Sequence, residues 1–168
     1  MPGVFPITGW AMAKAKNLIH KIIHMKKKWA IIAFILLDLF SVGLGMGVPF
    51  FTILLGLPVG WWLARRLAEK PQSLPALLGG LLKSAALTAG FSLLVLAVIW
   101  LPSLTWLFDP ARDLANYGMP LILFEPLASF IGWQVLMVVI SPFLQLLMTV
   151  FGAVVTWWQG KRIGSDEI

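Results

Sequence analysis

PLASFIGWQVLMVVISPFLQLLMTVFGAVVTWWQG, residues 126–160, runs without one charged side chain and closes on two tryptophans just ahead of Lys161 and Arg162. A helix needs about 20 mostly apolar residues to cross the hydrocarbon core of a bilayer, and this stretch exceeds that. As one straight helix, residues 126–158 would extend about 50 Å against a core of about 30 Å. Tilt, an interfacial first part or a break at Ser141-Pro142 must absorb the excess.

Two further stretches carry no charge, residues 39–64 and 84–108. The whole chain of 168 residues is 60% hydrophobic and 12% charged, with mean hydropathy +0.90. Too few polar side chains remain to clothe a water-soluble globule, and no stretch is long and polar enough for a separate aqueous domain. The expected class is therefore an all-α integral membrane protein, with lipid as its solvent.

Basic residues mark the orientation. Lys14, Lys16, Lys21, Lys26, Lys27 and Lys28 precede the first apolar block; Arg65, Arg66 and Lys70 follow the second; Lys161 and Arg162 follow the last. That pattern, with tryptophans at the block ends, predicts about four spans with both termini cytoplasmic. The spans fall near residues 29–46, 48–64, 76–101 and 130–158, with an outer loop at 102–125 and a tail at 163–168. A bacterial inner (plasma) membrane follows from the orientation rule and the compact loops. The net charge of +6 is accounted for by topology and anionic lipid headgroups, so nucleic acid is not an expected partner. About 28 polar or mixed residues precede the first apolar run, so a cleaved signal peptide is not expected and the first span should remain as an anchor.

Residues 1–28 form a basic amphipathic N-terminal segment. Leu18, Ile19, Ile22, Ile23 and Met25 gather on one side of a helix, with Lys16, Lys21, Lys27, Lys28, His20 and His24 on the other. Such a helix lies at an interface, either as an orientation signal or as a contact for anionic lipid. After the first span, Gly43, Gly45, Gly47 and Pro49 predict a sharp turn using φ above zero, so that the first two spans make a tight hairpin, crossing fully or re-entrant. An internal echo pairs Gly56, Trp61, Trp62, Arg65 and Arg66 with Gly152, Trp157, Trp158, Lys161 and Arg162. It is either a duplication of the kind transporters show or two helix ends at one interface.

Asp38 is the most costly residue for this fold, since a carboxylate near mid-membrane costs on the order of 3 kcal/mol by insertion scales. Lys83, the one basic residue inside an apolar block, is expected at a similar depth and could pair with Asp38 or snorkel to the interface. Small residues at 43, 47, 56, 60, 79, 80 and 90 (Gly43, Gly47, Gly56, Gly60, Gly79, Gly80 and Gly90) suit close helix packing. The outer-loop acids Asp109, Asp113 and Glu125 are read as capping or solvated groups, with a paired-carboxylate site as the sharper alternative.

Cysteine is absent, which excludes thiolate chemistry and disulfides. His20 and His24 share a helix face without a third ligand, so no metal site is expected, and no cofactor motif is present. The expected function is non-enzymatic: a subunit, assembly factor or scaffold of a larger membrane complex, with other membrane proteins or self-association as partners. The alternatives are a small transporter or channel using Asp38 and Lys83, and a membrane enzyme on the outer-loop carboxylates.

Overall fold

The computed structural model describes residues 7–45, 48–69, 73–116, 118 and 120–165. Expectations for Met46, Gly47, Lys70, Tyr117 and residues 166–168 lie outside the described residues. Among those described, the fold is all-helical. Its α-helices are α1 (Ile7–Ile23), α2 (Lys27–Leu44), α3 (Phe50–Ala68), α4 (Leu74–Trp100), α5 (Pro126–Val135) and α6 (Ser141–Ser165). Two helical runs, Leu74–Phe108 and Pro126–Gly160, are long and apolar enough to cross a membrane.

The helices start and stop for local reasons. Pro75 occupies the first turn of α4, where its missing N–H costs nothing. Glu125 caps α5, its carboxylate accepting from the backbone N–H of Leu127 at 3.1 Å and of Ala128 at 2.5 Å. Between α2 and α3 the chain turns tightly, with Val48 N–H donating to the Gly45 carbonyl at 2.8 Å. The expected positive φ is not what this turn uses at Gly45, where φ is −76°. Glycine is needed there because a Cβ would collide with the Val48 carbonyl oxygen.

A π-turn at Leu136–Ile140 joins α5 to α6 without a break in the helical path. Pro142 has no N–H to donate to the preceding turn, and the Leu136 carbonyl accepts from both the backbone N–H and the hydroxyl of Ser141, the latter at 2.7 Å. The extra-wide turn takes up the mismatch. The Ser141-Pro142 position singled out from sequence thus directly follows a π-turn within one long helical run.

The densest packing joins α3 to α6. Gly56 faces Gln145 and Thr149, Gly60 faces Thr149 and Ala153, and Trp157 donates its indole N–H to the Ala64 carbonyl at 3.1 Å. Residue numbers rise together along both helices, so α3 and α6 run parallel. α2 packs on α3 and α4 on α6, and α2 and α4 meet in the edge-to-face contact of Phe34 with Phe91, centroids 5.9 Å apart. At the end of the bundle where α3 finishes, Trp62 donates to the Ile22 carbonyl at 3.1 Å and Arg66 to the Met25 carbonyl at 2.8 Å. His24 Nδ1 adds a contact with the Glu69 carboxylate at 3.5 Å. The basic stretch before α2 and the basic end of α3 therefore meet at one end of the bundle, while the side chains of Lys161 and Arg162 lie outside the described residues.

Polar and apolar side chains share the interior, where Leu81, Leu96, Phe130 and Met137 are the largest buried apolar groups. The interior holds small residues and an unusual share of polar ones: Asp38, Ser41, Thr52, Ser92, Ser129, Gln134, Ser141, Gln145, Thr149 and Thr156 are all buried. The exterior carries leucine, isoleucine and phenylalanine, among them Leu36, Phe40, Leu87, Leu94, Phe143 and Phe151, each more than half exposed.

Candidate functional site

Four parallel or antiparallel helices bring polar side chains to one place near the middle of the bundle. Asp38 of α2 is fully buried, and its Oδ1 accepts from the Ser92 hydroxyl of α4 at 2.8 Å and from Gln145 Nε2 of α6 at 3.5 Å. The second bond is long and contributes little orientation by itself. Gln145 is held from behind by Gly56, where a Cβ would lie 2.5 Å from the Gln145 carbonyl oxygen. Any larger residue at 56 would push α3 away from α6.

The polar stripe on α6 continues in both directions, since Ser141, Gln145 and Thr149 recur every fourth residue on one buried face. Thr149 and Thr156 turn their hydroxyls back onto the carbonyls of Gln145 and Gly152, at 2.9 and 2.7 Å. These bonds satisfy the hydroxyl protons locally. They leave Gln145 as the member of the stripe that reaches across the bundle.

Asp38 Oδ2 has no hydrogen-bond partner, and neither do Gln145 Oε1 and Thr52 Oγ1. Buried oxygens of this kind are uncommon in folded proteins, because each loses its bonds to water with no replacement. Asp38 and Gln145 are in contact, so their two unpartnered oxygens make this part of the bundle electronegative.

The chain matches no protein-family model, no curated protein and no solved structure.

Asp38 and Lys83 do not meet. Lys83 is exposed on α4, and it precedes Ser92 by about two and a half helical turns, so it lies lower along the helix and on the opposite side. The equal-depth expectation assumed that α2 and α4 begin level; α4 is longer, and its register carries Ser92 to Asp38 instead. Of the glycines, Gly56 and Gly60 contact α6, and Gly80 would bring a Cβ to 3.5 Å from Leu67. Gly43, Gly79 and Gly90 have open space around them.

The echo between residues 56–66 and 152–162 brings its two copies side by side, with Gly152 pressed against Leu57 as Gly56 is against Gln145. It stops there: the first copy follows a tight turn, the second a continuous helix.

Asp109, Asp113 and Glu125 are not assembled into a site. Each organises its own stretch of backbone: Asp109 accepts from Ala111 N–H at 3.0 Å and pairs with Arg112 at 3.3 Å, Asp113 accepts from Ala115 N–H at 3.0 Å and from Asn116 at 2.6 Å, and Glu125 caps α5. The Asn116 and Ala115 bonds hold the Asp113 carboxyl below its ordinary titration range. Arg112 lies over the Trp106 ring at 5.1 Å, and these residues border a shallow open groove with Gly118. His20 and His24 lie ring to ring at 4.2 Å, and among the described residues no group of three metal-ligating side chains occurs.

Sequence reading passed over Thr52, Ser92, Gln145 and Thr149. The four-residue recurrence of Ser141, Gln145 and Thr149 in an otherwise apolar run was the available signal, since only a buried helix face would place polar groups at that interval.

Proposed function

We propose that the protein is a non-enzymatic, multi-pass membrane protein of four spans that serves as a subunit, assembly factor or scaffold of a larger membrane complex. Its termini and the connection after Arg66 face the cytoplasm of a plasma membrane. The observation that carries this reading is the wide apolar exterior of leucine, isoleucine and phenylalanine over an interior where aspartate, glutamine, serine and threonine lie beside a few large apolar side chains. Water would select a polar exterior, whereas lipid leaves close packing and internal hydrogen bonds as the cohesive terms.

Two features add support. Basic side chains from α1, α2 and α3 gather at one end, which suits the cytoplasmic leaflet. There α1 leaves Leu18, Ile19 and Ile22 exposed beside its lysines, a face suited to anionic lipid. Gly79 and Gly90 open outward from α4, where another helix could approach closely.

Two measurements test the reading. With no native cysteine, single cysteines at Val48, Tyr117 and Ser165 can be labelled with an impermeant maleimide in intact cells. Val48 and Tyr117 should react from outside, and Ser165 only after permeabilisation; outside labelling of Ser165 would refute the topology. Purification from the native membrane in mild detergent should retain a stoichiometric membrane partner that Gly90→Leu releases without unfolding the chain. A lone monomer would refute the subunit role.

A further inference from the structure

Ser92 Oγ on α4 lies 2.8 Å from Asp38 Oδ1 and 3.3 Å from the Thr88 carbonyl one turn earlier. A hydroxyl has a single proton, so Ser92 cannot donate to both oxygens at once. Both contacts are hydrogen bonds together when Asp38 supplies a proton to Ser92 Oγ and Ser92 gives its own to Thr88, the usual local bond of a helical serine.

The surroundings of Asp38 call for the same proton. Its side chain is fully buried, its contact with Gln145 Nε2 is 3.5 Å long, and Oδ2 has no partner. A buried carboxylate stays ionised on two or three good hydrogen bonds or on a nearby cation. Asp38 has one such bond. Nor does a cation on the packed helices reach it: Lys27 and Lys28 open α2, Arg65 and Arg66 close α3, and the exposed Lys83 precedes Ser92 on α4. Ser92 and Gly56, which packs on Gln145, mark the level of Asp38 on α4 and α3. From that level each of these cations lies about 13–17 Å along its helix. His20, His24 and Glu69 belong to the same end as Arg66, and α5 and α6 carry no charged side chain between Pro126 and Gly160.

From these contacts we infer that Asp38 is a proton-binding site: Oδ1 carries a proton at neutral pH and donates it to Ser92 Oγ, whose hydroxyl donates in turn to the Thr88 carbonyl. Oδ2 is then the carbonyl oxygen of a neutral acid, for which a missing donor costs far less than it would for an anion. The proton ties α2 to α4, and its removal would leave an unpaired charge among the helices. This inference goes beyond the subunit reading and does not rest on it.

The test is infrared spectroscopy of the full chain in detergent, with aspartate labelled with carbon-13 at its side-chain carboxyl. Exposed carboxyls are ionised at neutral pH and give no acid carbonyl band, and Asp109 and Asp113 are exposed. An acid carbonyl band that moves on labelling should be present at pH 7 and persist at pH 8. Asp38→Asn should lose this band. Ser92→Ala should keep it at a shifted frequency, because the proton loses its acceptor. Absence of a label-sensitive acid band from the parent at pH 7 would overturn the site, and that measurement needs no variant to fold. Survival of the band in Asp38→Asn would overturn it as well, since another aspartate would be the source. An unshifted band in Ser92→Ala would overturn the path through Ser92.

Discussion

Gly60 of α3 and Thr149 of α6 meet backbone to backbone: a Cβ at position 60 would overlap the Thr149 carbonyl oxygen. Contact of this kind lets two helices share the long row of weak attractions that apolar surroundings do not otherwise provide. It also places the polar stripe of α6 against α3 and under Asp38.

Gly60→Ala and Gly56→Ala should each therefore destabilise the protein, by roughly 1–3 kcal/mol, because backbone cannot yield as a flexible side chain does. Gly79→Ala, facing open space, should be neutral or stabilising by about 0.5–1 kcal/mol through helix propensity. Unfolding titrations of the three variants in detergent check the contrast. Equal losses at 60 and 79 would remove the tight contact as their cause.

Trp62→Phe should loosen α1 from the bundle, since the indole N–H to the Ile22 carbonyl, with Arg66 to Met25 and His24 to Glu69, ties the segment before α2 to the end of α3. Limited trypsin digestion should cut after Lys26, Lys27 or Lys28 several times faster in the variant, and faster still in Trp62→Phe/Arg66→Gln. Unchanged digestion would mean that these bonds do not hold α1.

Removal of the α5 cap by Glu125→Ala should cost about 0.5–2 kcal/mol, the usual range for an N-cap. Glu125→Asp should recover part of the loss. Hydrogen exchange should show it first at the amides of Leu127 and Ala128, which donate to the carboxylate.

Asp113 contributes to the acid sensitivity of the loop between α4 and α5. Its carboxyl titrates below the ordinary value of 3.8 because Asn116 and the Ala115 N–H favour the charged form. A depressed folded-state pKa stabilises the loop above 3.8, and that contribution is lost as pH falls through the depressed value. A carbon NMR titration of the aspartate carboxyls, with Asp113→Asn for assignment, should find this midpoint lowered. Asn116→Ala should move it back up, and a midpoint unmoved by that variant would contradict the assigned cause.

Much of the bundle was legible in the order of residues, and for identifiable reasons. An uncharged run of residues 126–160 can hardly be anything but helix. Ser141-Pro142 announced a deformation because proline lacks a donor wherever it falls. The glycine-rich run before Pro49 announced a turn, although the glycine at 45 serves close approach and not positive φ. The acidic loop residues proved to be caps and turn-formers, as short carboxylates near helix starts commonly are.

What sequence determined by itself was therefore local and compositional: helices, their ends, the turn, and the grouping of basic residues beside apolar blocks. Tertiary structure alone decided the partners. Asp38 could be costed from its position along a helix, but its partner depended on how far α4 slides past α2. That slide is settled by packing over the whole helix length, which put Ser92 beside Asp38 and turned Lys83 outward. Likewise Gly56 resembled several other small residues in the chain until α6 lay against it. Rotation and register between helices are cooperative properties of many contacts, and no single position in the chain carries them.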